Sequence, residues 1–166
     1  MSTLGIIHTA ISVLALVCAI VSIARTGFIQ PLGAAGLGYS LLTVLACTTS
    51  FPLSREGGFN AGHTIGILIL LLLAVVYVFF QHPVGAVGHY TQAVLMTLTL
   101  FLSLVPAVNE TLMRVPPDAP LSSGPQDPLV KQCIGVLLLL TVVGIGLQVA
   151  RLRQQYKSPV RKAHNS

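Results

Sequence analysis

Long runs of apolar residues without a single charge, such as Ile67 to Phe80, constrain this chain more than any other feature. Only 8% of the residues are charged, against roughly a quarter in soluble domains. So few charges cannot cover a folded surface in water, whereas a helix that crosses a bilayer needs about 20 mostly apolar residues. Backbone in lipid must satisfy its own hydrogen bonds, and the alternating strands of a barrel are absent. The sequence therefore predicts an all-α polytopic transmembrane bundle.

Polar and proline-containing breaks divide the apolar runs into separate spans. We predict a four-helix transmembrane core in residues 1–110, a Pro-rich outer loop in residues 111–128, and a fifth, peripheral transmembrane helix in residues 129–150. The prolines of the loop forbid a regular helix there. Residues 151–166 form a basic tail, and the fourth span is expected to kink or end near Pro106. The predicted spans are residues 4–24, 32–50, 59–80, 87–109 and 129–150.

The distribution of charge predicts the orientation of the chain. Five of the nine Lys and Arg residues lie in residues 151–166, and Arg25 closes the first span on the same side. By the positive-inside rule that side is cytoplasmic, which puts the N-terminus outside. We therefore expect an integral protein of a bacterial inner (plasma) membrane. A basic tail beside a span is a topology signal or a contact with anionic lipid, so we expect no nucleic-acid partner.

Small and weakly polar residues recur at helical spacing along the predicted spans. In a membrane such faces mark helix-helix contacts, because apolar area no longer separates core from surface. We therefore expect packing to be their main use. The stripe of the fourth span is the most polar and is also a candidate proton path; it contains His89, Gln92, Met96, Thr99 and Ser103. The first two spans carry Gly5, His8, Ser12, Ala15, Ala19 and Ser22, and Gly36, Ser40, Thr43, Cys47 and Ser50.

Two histidines, His8 and His63, lie about one helical turn inside the outer ends of the first and third spans. Both spans cross in the same direction, so the two imidazoles are expected at one depth. Ionisable groups inside a membrane are costly and default to functional candidates. A pair of imidazoles at one depth is what axial ligation of a b-type haem, or half of a transition-metal site, requires. Glu110, at the outer end of the fourth span, is a candidate third ligand or proton acceptor.

Three short motifs in the first half of the chain resemble those of a bacterial family of predicted membrane proteins of unknown function. They are His8 near the start of the first span, Arg25-Thr26-Gly27 at its end, and Gly57-Gly58-Phe59-Asn60-Ala61-Gly62-His63 at the start of the third. The resemblance covers about residues 5–110 and implies a four-helix protein with a histidine at the start of these two spans. Members often carry a His-Arg pair just before the second span. This chain has Gln30-Pro31-Leu32 there, so a ligand role is lost at that position.

These observations leave two main hypotheses open. The first is a binding module that holds a single b-type haem or a transition metal through His8 and His63, with Glu110 as a further metal ligand. The second is a non-catalytic structural subunit or assembly factor whose partners are membrane lipid, a second copy of the chain or a larger membrane complex. In that case each histidine bonds to water or to a helix end near an interface.

An enzyme or transporter with a proton path is the less favoured class. Such a path would use His63, Glu110 and the stripe of the fourth span, but that span has no charged residue at mid-membrane, as a relay normally requires. The sequence also contains no nucleotide-binding glycine loop, nucleophile elbow or HExxH motif. We therefore assign no catalytic residues.

Overall fold

The structure is a computed structural model that describes residues 2–53, 59–81 and 85–163, with the backbone alone for residue 86 and residues 156–163. Every regular element in these ranges is helical, and five helices are long and apolar enough to cross a membrane. The predicted all-α transmembrane bundle is therefore confirmed. The helices are α1 (Thr3–Thr26), α2 (Ala34–Ser50), a short 3-10 turn (Phe51–Leu53), α3 (Ala61–Gln81), α4 (Gly85–Leu112) and α5 (Pro128–Ala163).

Helix α1 begins and ends at residues whose chemistry suits those positions. The hydroxyl of Ser2 accepts a hydrogen bond from the amide of Gly5 at 3.1 Å, which satisfies one of the free N–H groups of the first turn. Gly27 closes the helix in the left-handed region, with φ +84°, and its N–H donates to the carbonyl of Ile23 at 2.7 Å. The Arg-Thr-Gly motif at this point is thus a helix end that only glycine forms without strain.

The helices differ from the predicted spans by one to three residues at most boundaries, and by 13 residues at the end of α5. Helix α4 runs through Pro106 without ending there and stops at Leu112, since proline removes a single N–H donor and is tolerated inside transmembrane helices. Helix α2 begins at Ala34, after the amide of Gly33 bonds to the carbonyl of Gln30. Helix α5 continues to Ala163, so most of the predicted tail is helical. The predicted turns at 54–58 and 82–84, and residues 164–166, lie outside the described residues.

Successive helices pack against each other in antiparallel fashion. His8, near the start of α1, contacts Thr49, near the end of α2. At the opposite end, the Tyr77 hydroxyl of α3 donates to the carbonyl of Pro31, just before α2, at 3.1 Å. We call the end at which α1 ends and α4 begins the basic end, because Arg25, Arg151 and Arg153 lie there. The other end is the acidic end, because it contains Glu110, Asp118 and Asp127.

The small-residue stripes of the first two spans form the centre of the bundle. Ala15, Ala19 and Ser22 of α1 are buried. Four of the five stripe residues of α2 are also buried, together with Tyr39, which is fully enclosed. Helix-helix packing is therefore what these stripes do, as predicted. The buried residues of the α2 stripe are Gly36, Ser40, Thr43 and Cys47.

Helix α5 is attached to this bundle at its edge and is the least buried of the five spans. It packs on α4, and the Thr97 hydroxyl of α4 donates to Oε1 of Gln148 at 2.8 Å. Its inward side contains the buried residues Val130, Thr141, Gln148 and Leu152. The fifth helix is thus peripheral to the bundle.

The start of α5 is fixed by an aspartate cap at the acidic end. One carboxylate oxygen of Asp127 accepts from the amide of Leu129 at 2.9 Å, and the other accepts from the amide of Ser123 at 3.2 Å. These backbone hydrogen bonds favour the ionised form and hold the pKa of Asp127 below its usual range. Pro128 follows as the first helical residue, where its missing N–H costs nothing. These hydrogen bonds fix the backbone conformation at the point where the loop joins α5.

Candidate functional site

A polar site connected by three hydrogen bonds surrounds His63, at the start of α3. Asn60 precedes the helix, and its side-chain Oδ1 accepts from the amide of His63 at 3.1 Å. In return, Nδ1 of His63 accepts from the amide of Asn60 at 3.1 Å. This reciprocal pair is a capping box in which histidine stands where glutamate or glutamine usually does. The Asn-Ala-Gly-His sequence thus fixes the first turn of α3.

The second ring nitrogen of His63 is also bonded within the chain. Because Nδ1 accepts a hydrogen bond, the neutral ring carries its proton on Nε2, which donates to the carbonyl of Phe51 at 3.0 Å. This carbonyl lies just past the end of α2, where helix carbonyls lack intrahelical partners. His63 therefore joins the end of α2 to the start of α3 and satisfies backbone groups of both.

Aromatic rings enclose the His63 imidazole on two sides. The Phe51 ring stacks on it at 5.3 Å between centroids and 4° between planes, and the Phe59 ring lies at 5.6 Å with a 32° tilt. The residue is only 6% exposed. A buried imidazole with both nitrogens bonded and one face stacked has no lone pair to offer a metal unless one of these hydrogen bonds breaks.

His8 lies at the same end of the bundle but in a different environment. Its Nδ1 is 3.1 Å from the hydroxyl of Thr49. That hydroxyl donates to the carbonyl of Leu45 at 2.8 Å, so it accepts from Nδ1–H of His8. The His8 ring is half-buried, and its bond to Thr49 joins α1 to α2.

Glu110 of α4 also lies at the acidic end, close enough to His8 for a Coulombic interaction between the two groups. Its carboxylate is already paired with Arg114, one turn further along, whose Nε donates to Oε2 at 2.7 Å. Both side chains of this pair are exposed to a large extent. Glu110 thus lies near His8, but its negative charge is already compensated by Arg114.

The geometry of these three residues gives no support to a haem or metal centre. Both ring nitrogens of His63 are hydrogen-bonded to backbone groups, and the Glu110 carboxylate is paired with Arg114. Across the described ranges, no three His, Cys, Asp or Glu side chains converge as a metal site requires. An open groove of about 350 Å³ between α2 and α3 is lined mainly by apolar side chains, and no histidine lines it. His8, His63 and Glu110 therefore do not converge on a common point, as the ligands of one metal ion would.

The polar stripe of α4 is divided between the bundle interior and the surface. Gln92 and Thr99 are buried, whereas Ser103 is half-buried and His89 is exposed. The Tyr39 hydroxyl of α2 donates to Thr99 at 3.0 Å, and Thr99 donates onward to the carbonyl of Met96 at 2.8 Å. Ser103 donates to the carbonyl of Thr99 at 2.9 Å. The first of these hydrogen bonds joins α2 to α4 and the other two lie within α4, so the buried part of the stripe serves packing, which is the ordinary use of such stripes.

Sequence reasoning missed the residues that complete these contacts. Asn60 and Phe51 position His63, and Thr49 positions His8. The spacing of Asn60 and His63 at the start of a span was a usable signal, because a capping box places its two residues three apart. Thr97 was missed because it lies beside the predicted stripe, and only the position of α5 gives it a partner.

Comparisons of the chain with protein-family models, with curated proteins and with solved structures find no match. The function is therefore argued from the geometry of the chain alone.

Proposed function

We propose that the chain is a non-catalytic structural subunit of a membrane assembly and that it contacts another transmembrane helix through the outer side of α5. The observation that carries this proposal is the position of Gly135 and Gly146. A Cβ added at either glycine would meet nothing within 4 Å. These glycines therefore serve no close approach within the chain.

The two glycines lie on one side of α5, opposite the side that packs on α4. They are separated by about three helical turns, so they share a face. Leu139 and Val142 lie between them on that face and are 63% and 59% exposed. The buried residues Thr141 and Gln148 point the other way, toward α4. We call the face of Gly135, Leu139, Val142 and Gly146 the outer face of α5.

Glycine lowers the stability of a helix, and on a face that contacts only lipid nothing compensates for this loss. It costs about 1 kcal/mol relative to alanine inside a helix. Between transmembrane helices this cost is offset, because small residues let two backbones approach closely and gain van der Waals contact. Since no part of the described chain makes such an approach, a helix from a second copy or another subunit is the partner that we propose.

The polar groups of the spans support a structural role over a binding or catalytic one. His63 caps α3, and Thr99 joins α4 to α2. A haem or metal would have to displace the bonds of His63 to Asn60 or Phe51. The hydroxyls of Thr99 and Ser103 donate to backbone carbonyls, which end a hydrogen-bond chain and do not pass a proton onward. We therefore place the assembly role first.

Association should depend on the space at Gly146. A leucine at this position adds bulk to the outer face without touching the chain itself, so Gly146→Leu should separate the assembly while the helix content stays unchanged. The matched control is Gly144→Leu, which adds the same side chain to the half-buried side of the same helix. The assembly state is measured by cross-linking in membranes. Equal cross-linking of both variants and the unaltered chain would contradict the proposal.

We also propose that the basic end faces the cytoplasm of a bacterial inner membrane and that the N-terminus lies outside. Six of the nine Lys and Arg residues belong to the basic end and the segment after it, and the positive-inside rule places such an end in the cytoplasm. A reporter that is active only in the cytoplasm should work when fused to the C-terminus and fail when fused ahead of Ser2. The reverse pattern would invert the orientation.

A further inference from the structure

We propose that the basic end binds the phosphate of an anionic phospholipid headgroup between Arg151 of α5 and Arg25 of α1, beside Gly27. The bilayer surface lies at the ends of the spans, so the phosphates of lipid headgroups lie at the same depth as these arginines. Arg151 differs from the rest of the basic tail because its neighbour Leu152 is buried in the fold.

The position of Arg151 is defined by its contact with Gly27. A Cβ on Gly27 would lie 2.5 Å from Nη1 of Arg151 and 3.5 Å from its Cδ. The guanidinium group therefore rests against the backbone at the end of α1. The next residue, Leu152, is 4% exposed, and Ile29, two residues after Gly27, is fully buried. Both sides of the junction between α1 and α5 are thus anchored by buried apolar side chains.

The hydrogen-bond donors of Arg151 are not used by the described parts of the chain. The negative end of the α1 dipole favours a cation at this place, yet Arg151 makes no hydrogen bond to the last carbonyls of α1. Arg25, in the last turn of α1, is exposed and has no acidic partner in the described ranges. The described acids all lie at the acidic end, and Glu110 is paired there with Arg114. Positive charge at the basic end is therefore uncompensated by described residues.

A phosphate group fits these two arginines in chemistry, and Arg25 lies only two residues before the glycine that Arg151 contacts. Guanidinium presents planar pairs of N–H donors that match the oxygens of a phosphate, and it gives up hydration more easily than an ammonium group does. Gly27 itself contributes no side chain that would cover Arg151. Anionic headgroups are concentrated in the cytoplasmic leaflet, which is the leaflet that we propose for this end.

The test is a titration of the purified full chain in detergent with phosphatidylglycerol, with bound lipid counted by native mass spectrometry. Phosphatidylcholine serves as the zwitterionic control and inorganic phosphate as the free anion. We expect phosphatidylglycerol to bind more tightly than either. Arg151→Gln should weaken this binding about tenfold or more, which is the loss expected for one or two charge-assisted hydrogen bonds. Arg25→Gln should weaken it several-fold.

The matched control is Arg153→Gln, which removes the same charge two residues away, on the outer side of α5. It should change the affinity less than about twofold, since long-range charge alone is screened near a membrane surface. Arg151→Lys keeps the charge without the planar donors and should bind between Arg151→Gln and the unaltered chain, which keeps the test informative if Arg151→Gln does not fold. Equal losses in Arg151→Gln and Arg153→Gln would overturn the proposal, as would equal binding of phosphatidylcholine or of inorganic phosphate.

Discussion

Gly36→Ala should destabilise the bundle more than any other single methyl group added to α2. A Cβ at this position would lie 1.8 Å from the carbonyl oxygen of Gln30 and 2.7 Å from its carbonyl carbon. The obstacle is backbone, and the carbonyl of Gln30 is held in place because it accepts from the amide of Gly33 at 3.1 Å. We expect a loss of about 3 kcal/mol or more in the free energy of unfolding, at the upper end of what overpacking costs.

The control for this prediction is Gly38→Ala, two residues along the same helix. There a Cβ would meet the side chain of Cys18, with its sulfur at 3.3 Å and its Cβ at 4.0 Å, and the sulfur can move by a few tenths of an ångström. Alanine also favours the helix more than glycine does, so this variant should be close to neutral. Both variants are compared by titration with a denaturing detergent, followed by circular dichroism. Equal midpoints for the two would show that α2 does not contact the Gln30 backbone as described.

His63→Ala should cost about 3 kcal/mol of unfolding free energy. The change removes the capping partner of Asn60, which is worth about 1 kcal/mol. It also removes the part-buried hydrogen bond to the carbonyl of Phe51, at a cost of about 1 kcal/mol. The two phenylalanine rings lose their stacking partner as well. The loss is measured as a shift of the unfolding midpoint in the same detergent titration.

Two further variants separate capping from ligation at this position. His63→Gln restores the acceptor that a capping box needs at this place and should recover part of the lost stability. His8→Ala removes one half-buried hydrogen bond to Thr49 and should cost only about 1 kcal/mol. If His63 were a ligand, His63→Gln would be as damaging as His63→Ala, and His8→Ala would match both. That pattern would contradict the structural role.

The fold could be predicted from the sequence because hydropathy and small-residue spacing are local signals. The buried sides of α1 and α2 follow directly from stripes that include Ala15, Ala19, Ser40 and Cys47. Helix ends were less predictable. The end of α5 was placed at residue 150, although Arg151, Leu152 and the glutamines that follow are good helix formers and continue it. Leaving lipid does not by itself end a helix.

The candidate site was harder to predict because its meaning depends on contacts between helices. The sequence places His8 and His63 at one depth, and depth alone is equally compatible with ligation and with packing. The distinction rests on the Phe51 carbonyl and the Asn60 amide, which form hydrogen bonds with both ring nitrogens of His63. The position of Arg151 against Gly27 depends in the same way on α5 returning to the end of α1. No local pattern in the sequence encodes that return.

The most direct test of the proposed structural role is native mass spectrometry of the chain released from membranes without added cofactor. One spectrum reports both the number of chains and any tightly bound group. We predict a complex of more than one polypeptide in which this chain carries no haem or metal mass, and the complex should be lost in Gly146→Leu. A single chain that carries a haem or a metal ion, and loses it in His63→Ala or His8→Ala, would contradict the proposal.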